Sequence, residues 1–184
     1  ESIYKQLLEK VSKESYIECL AYTAKTLELQ TLEIPASVES IYVNTFFGCK
    51  SLESVNFAEG SQLKSIDTGV FKDCALKTIE IPASVVSIGY EAFKNCKSLE
   101  SVRFAEGSQV KSIKDNAFER CSALKTIEIP VAFIGTDNDF WLAKGIDTSK
   151  TKIICNDTLY KNIENNNAEI NIFPDNIDSE SYKG

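Results

Sequence analysis

The sequence predicts an α/β solenoid in which short coils, each giving one strand to a growing sheet, stack along a common axis. Three observations carry this. Lys50–Ile66 and Lys97–Ile113, 47 positions apart, read identically except at Asn56/Arg103 and Leu63/Val110, and such self-similarity marks a repeat architecture. Cys49, Cys74, Cys96 and Cys121 follow one another at 25, 22 and 25 residues, so the 47-residue unit is a pair of related coils. Isoleucine stands eight positions before each of these cysteines (Ile41, Ile66, Ile88, Ile113) and phenylalanine three before (Phe46, Phe71, Phe93, Phe118). A single coil of this length cannot bury its own apolar side and must stack on neighbours to close a core.

From the N-terminus, residues 1–28 read as a helical cap. Ile3, Leu7, Leu8 and Val11 share one helical face, and Ser15 stands where it could cap a second helix bearing Tyr16, Ile17, Leu20, Ala21 and Ala24. An open solenoid needs such covers, because its end coils otherwise expose unpaired edges.

Residues 29–143 read as five coils and a degenerate sixth. After each cysteine comes an extended segment whose apolar residues end in period-two alternation: Leu52-Val55-Phe57, Leu76-Ile79-Ile81, Leu99-Val102-Phe104 and Leu124-Ile127-Ile129, with Leu29-Leu32-Ile34 opening the series. Pro35, Pro82 and Pro130 follow the strand in one class of coil and should end ladder pairing there for want of an N–H. Gly60 and Gly107 give the other class a turn instead. In the sixth coil Ile134-Gly135 echoes Ile88-Gly89, Phe140 falls near the phenylalanine column, Ala143 stands for the cysteine, and Trp141 is expected to seal the core. Residues 144–184 read as a C-terminal cap and tail, with Thr151–Cys155 a last strand and the asparagine-rich stretch Asn162–Asp178 a loose final wrap.

Composition narrows the function. With 26% charged and 43% hydrophobic residues the chain is a folded protein rather than a disordered one. A net charge of −7 gives no global attraction to nucleic acid or to an anionic membrane. The absence of histidine excludes Ser-His-Asp triads, Cys-His dyads and imidazole-bound zinc. The chain has no methionine and opens on Glu1, which reads as a trimmed piece of a longer product, and no signal or membrane-spanning pattern is visible in it.

The segment Leu76–Cys96, LKTIEIPASVVSIGYEAFKNC, resembles the BspA-like leucine-rich repeat. The resemblance covers roughly residues 29–143. It implies a right-handed solenoid with a parallel sheet on its concave face and short helices or turns on the convex side. It also implies a role in protein binding and adhesion at the cell surface or outside the cell. The repeat pattern joined to the missing catalytic residues reads as a non-enzymatic module.

The four column cysteines have coil spacing and no Cys-x-x-Cys arrangement, so they read as free buried thiols rather than as metal or redox ligands. Cys19 and Cys155 lie outside the column and cannot be paired from the sequence. Asp137-Asn138-Asp139 lacks the glycine and distal glutamate of a calcium loop and reads as a solvated turn. Asn156-Asp157-Thr158 is a glycosylation sequon in an appropriate host. Every repeated acid falls in a ladder, so no carboxylate pair faces a cleft and neither cofactor nor metal is expected.

The face of the sheet carries three columns: Gln30, Glu53, Lys77, Glu100, Lys125; Thr31, Ser54, Thr78, Ser101, Thr126; and Glu33, Asn56, Glu80, Arg103, Glu128. Opposite charges on adjacent strands support pairing by roughly 0.2–1 kcal/mol each, which makes a self-satisfied ladder one reading. The other is a surface for a protein partner, host or extracellular-matrix protein included, formed by Glu53, Asn56, Lys77, Glu80, Glu100, Arg103, Lys125 and Glu128. Arg103 is singled out as the one cation of the third column. An intracellular scaffold or spacer of a larger protein is the alternative function, and the sequence leaves the oligomeric state open.

Overall fold

A computed structural model describes residues 13–133, 136 and 138–155. It is a parallel-sheet solenoid of about five turns with few helices. The chain enters through helix α1 (Lys13–Thr26) and then alternates long and short strands: β1 (Thr31–Ile34), β2 (Ser40–Ile41), β3 (Ser54–Phe57), β4 (Ser65–Ile66), β5 (Thr78–Ile81), β6 (Ser87–Ile88), β7 (Ser101–Phe104), β8 (Ser112–Ile113) and β9 (Thr126–Ile129). A 3-10 turn (Val131–Phe133), helix α2 (Asn138–Ala143) and strand β10 (Lys152–Cys155) complete it.

Helix α1 buries Ile17, Ala21 and Ala24, spaced as one face of a helix, with Tyr16 and Leu20 half-buried beside them. It begins before Ser15, so that serine lies in the first turn and is not its cap; serine inside a helix costs only a few tenths of a kcal/mol. The helix ends where Glu28 turns left-handed (φ +50°) and the Leu29 N–H reaches the Ala24 carbonyl at 3.0 Å. The expected helix bearing Ile3, Leu7, Leu8 and Val11, the Ile134-Gly135 pair, Asp137, the sequon at Asn156 and the tail Asn162–Asp178 lie outside the described residues.

The long strands bury alternate residues, as in β5, where Ile79 and Ile81 face the core and Thr78 and Glu80 face solvent. The Ser-Ile dipeptides form a second parallel sheet, ordered β2-β4-β6-β8, that the sequence did not announce. Between the sheets the phenylalanine column is continuous: ring centroids of Phe46–Phe71, Phe71–Phe93 and Phe93–Phe118 are 5.5, 5.6 and 5.3 Å apart and nearly parallel. Each ring is fully buried, which contributes about 2–3 kcal/mol by area, with about 0.5–1.5 kcal/mol more for each ring pair.

Six-residue turns, 43–48, 68–73, 90–95 and 115–120, close the coils opposite the long strands, where short helices were the other expectation. Each takes left-handed φ at two fixed places, five and one positions before the cysteine: Asn44 and Gly48, Gly69 and Asp73, Glu91 and Asn95, Asn116 and Arg120. That conformation is unfavourable for most side chains. It is offset here because it aims N–H groups along the axis: Asn44 reaches Thr68 at 3.0 Å, Gly48 reaches Lys72 at 2.9 Å, and Asn95 reaches Glu119 at 2.8 Å.

The sixth coil departs from the expected register. Asn116 and Phe118 donate to the carbonyls of Ala143 and Lys144, so Ala143 takes the rung held by Thr68 and Tyr90 in earlier coils and does not stand for a cysteine. Helix α2 causes this, since its short rise per residue uses up chain that a turn would spend travelling. Asn138 and Asp139 accordingly open that helix rather than sit in a solvated turn. Trp141 is fully buried against Phe133 and Phe140. Phe140 pairs with these two rings at 5.6 and 4.9 Å. Strand β10 then pairs with β9 in full register, Lys152 with Thr126 through Cys155 with Ile129.

Candidate functional site

The outward side of the long strands gathers the charged columns. Residues one position before each strand are linked coil to coil by single backbone bonds outside the ladders, Glu53 to Gln30, Lys77 to Glu53, Glu100 to Lys77 and Lys125 to Glu100, all at 2.8–3.0 Å. Their side chains pair two by two: Lys77 with Glu53 at 2.6 Å and Lys125 with Glu100 at 2.7 Å. The Lys125 hydrogen bond, helped by the charges of Lys125 and Lys77, holds the Glu100 carboxyl below the usual carboxylate range. In the third column Arg103 Nε meets Glu128 at 3.2 Å, although its register partner in β5 is Glu80. Asn56, Glu80 and Arg103 are exposed, and Glu53 and Glu128 half-buried. The structure thus brings all eight predicted residues to one face. All of them except Asn56 and Glu80 are committed to ion pairs, in which Lys77, Lys125 and Arg103 each hold an acid of an adjacent coil.

The face is not uniform. Strands β1 and β3 pair over four residues, as do β5 and β7, but β7 and β9 pair only at Ser101–Thr126 and Val102–Ile127, and no ladder joins β3 to β5. Proline explains the alternation. Ala58 donates to Ile34 at 3.0 Å and Ala105 to Ile81 at 2.9 Å, each closing the far end of a junction. Pro82 and Pro130 occupy the same place and have no hydrogen to donate to Phe57 or Phe104. The proline effect expected from the sequence therefore falls on one side of the strand only, toward the preceding coil.

Chain length adds relief. The stretch from long to short strand is residues 58–64 in a glycine coil and 82–86 in a proline coil. Both classes open it on a turn closed at 3.1 Å, Ala58–Ser61 and Ala105–Ser108 in one and Pro35–Val38 and Pro82–Val85 in the other, so the turn expected of the glycine class alone is common to both, and the longer stretch adds chain behind the exposed tips Glu59, Gly60, Glu106 and Gly107. Beside the Ala58–Ser61 turn lies an open recess of about 600 Å³ over the lapsed β3–β5 junction, lined by Asn56, Glu59, Thr78, Glu80, Pro82 and Ser84 among others. Sequence reasoning missed it. The expectation that every repeated acid sits in a ladder and that no carboxylate pair faces a cleft fails here, because Glu59 stands on a turn and lines the recess together with Glu80. The signal for the recess was present in the two coil lengths and the Ile-Pro alternation.

On the opposite side the turns carry a chain of ion pairs. Glu91 bridges Lys72 at 2.7 Å and Lys94 at 2.6 Å, and Lys94 also holds Glu119 at 2.7 Å. The Lys72 and Lys94 hydrogen bonds lower the Glu91 carboxyl to about 2. In the core, Cys49, Cys74, Cys96 and Cys121 are buried, as the spacing implied, and free, and Cys19 is free and exposed. No group of three or more potential metal ligands occurs among the described residues. No helix among them is long and apolar enough to cross a membrane.

Six copies of the BspA type leucine-rich repeat region match residues 15–141. The chain belongs to this family. Solved structures give the same picture. The chain is similar to the pneumococcal vaccine antigen PcpA, with 26% identity and a TM-score of 0.54 over 70% of this chain and 27% of that one. It is similar to a leucine-rich cell surface protein from Faecalibacterium prausnitzii, with 32% identity and a TM-score of 0.50 over 65% of this chain and 29% of that one. A leucine-rich repeat protein of T. pallidum shares the fold at 23% identity, with a TM-score of 0.58 over 79% and 73% of the two chains. The chain thus spans less than a third of the first two relatives. No functionally curated protein gives a significant match.

Proposed function

We propose that this BspA-type chain is a non-enzymatic protein-binding module that works at the cell surface or outside the cell, with the long-strand sheet as the concave face of a right-handed solenoid. Helix α1 serves as its N-terminal cap, and residues 144–155, with strand β10 paired to β9, cover the other end of the described solenoid. One observation carries the reading. Eight polar and charged side chains stand on a single exposed sheet face, spaced by the coil repeat, while the core beneath them is closed. A rigid array of this kind suits the large epitope of a folded protein. The descriptions of the pneumococcal antigen and the Faecalibacterium surface protein support the surface location.

Binding of the purified chain to immobilised extracellular-matrix and host cell-surface proteins tests the reading. Saturable binding that weakens in the combined variant E53Q/E100Q/R103A is the expected result, and inertness across the panel overturns adhesion. An impermeant antibody applied to intact cells of the source organism decides the location: labelling only after permeabilisation would favour the intracellular scaffold.

A further inference from the structure

Resting on the protein-binding reading, we propose that the recess over the β3–β5 junction is a subsite for a basic side chain, lysine or arginine, of the protein partner. Three independent features meet there. The ladder lapses because Pro82 cannot donate to the Phe57 carbonyl, which leaves that acceptor without the rung that Ile34 and Ile81 enjoy from Ala58 and Ala105. The Ala58–Ser61 turn supplies a wall, so the opening of about 600 Å³ has room for a long side chain without any rearrangement of the coils. Its lining includes two carboxylates, Glu59 and Glu80, with the amide of Asn56 and the hydroxyls of Ser54, Ser61, Thr78 and Ser84, and it includes no lysine or arginine.

The cations at neighbouring positions are already engaged. Arg103, the register partner of Glu80, turns to Glu128, and Lys77 holds Glu53. What the recess lacks is a positively charged donor, and what it offers is a set of acceptors at one place, beside Glu53, Glu100 and Glu128, which already have their cations. A primary ammonium has three donors and a guanidinium five, so either satisfies several acceptors at once, whereas an acidic or purely apolar group would leave Glu80 unmatched. A partner placing one basic side chain here would also be fixed in register along the solenoid, because the face repeats only every second coil.

The test is a titration of the 15N-labelled full chain with the peptides acetyl-Ala-Lys-Ala-amide and acetyl-Ala-Arg-Ala-amide at low salt, followed by amide chemical shifts, with the norleucine peptide as control. Saturable millimolar shifts confined to Asn56, Gly60, Thr78 and Glu80, absent with norleucine, are expected. E80Q should weaken them about fivefold or more, while E106Q, on the second ridge, should leave them unchanged. Shifts spread over all exposed carboxylates, equal binding of norleucine, or an E80Q chain that binds as well as the parent would overturn the subsite. Protein binding that survives E80Q unaltered would remove this subsite from the interface and leave the module standing. Peptide binding without any protein ligand would do the reverse.

Discussion

Cys96 donates its thiol hydrogen to the carbonyl of Phe71 in the preceding coil, at 3.1 Å, and Cys74 and Cys121 repeat the contact with Phe46 and Phe93 at 3.2 Å. The cysteine column thus has a physical cause beyond packing: the site needs a small, mostly apolar residue with one donor directed along the axis. Burial pushes the thiol of Cys96 up, and that of Cys121 up to about 12, so both remain protonated and able to donate. Replacing Cys96 by alanine removes the donor and leaves the Phe71 carbonyl facing a small void. A loss of about 1–2 kcal/mol is expected, partly recovered in C96S, which keeps a hydroxyl donor. Urea unfolding of the three proteins measures it, and C96A as stable as the parent would show that the bond contributes nothing.

Glu91 ties three successive turns together through Lys72 and Lys94. Its carboxyl titrates at about 2 in the fold against an ordinary value of 4.5. A depressed acid contributes stability that is fully present above the unfolded value and is lost as pH falls through the folded one. The gap in melting temperature between the parent and E91Q should therefore be widest near neutrality and close between pH 4.5 and 2. A gap that stays constant over that range would dissociate the ion pairs from acid stability.

Pro82 is held responsible for the missing rung between β3 and β5. In P82A the new N–H should bond to the Phe57 carbonyl and resist hydrogen exchange, bringing the junction to the state of Ala58 and Ala105. Rapid exchange of the amide introduced at this position, measured by NMR, would mean that something other than the imino acid keeps these strands apart.

Gly145 and Gly60 both adopt left-handed φ, +83° and +73°, but only one is confined. A Cβ on Gly145 would lie 2.5 Å from the Glu119 backbone nitrogen, whereas one on Gly60 would meet nothing within 4 Å. G60A should cost about 1 kcal/mol, the strain of the conformation alone. G145A should cost at least twice that, since backbone must move to admit it. Equal losses in thermal unfolding would contradict the contact of the sixth coil with the fourth turn.

The stacked long strands, the core phenylalanines and the buried thiols were legible because each rests on a residue type repeated at a fixed offset. The Ser-Ile sheet was not: Ser40-Ile41 and its counterparts are two-residue strands, too short to show alternation, and their isoleucines read simply as core. The left-handed positions were hidden because Gly48, Asp73, Asn95 and Arg120 share a conformation without sharing chemistry, the conformation being imposed by the rungs. On the charged face the columns could be read, but which acid Lys77 or Arg103 would choose depends on side-chain rotamers and not on spacing. Ala143 was misplaced because helix α2 replaces a turn, and a change of rise per residue breaks any count made from coil length.

The alternation of firm and lapsed junctions has a bearing on how such a chain can lengthen. Insertion of a single coil would set proline coil against proline coil, or glycine ridge against glycine ridge, and disturb the sequence of contacts on either side. Insertion of two leaves every junction between the kinds of neighbour it already has. The near-identity of Lys50–Ile66 and Lys97–Ile113 fits inheritance by whole doublets, so that recombination within the gene would add or remove reach in steps of 47 residues while keeping the phase of the surface pattern intact.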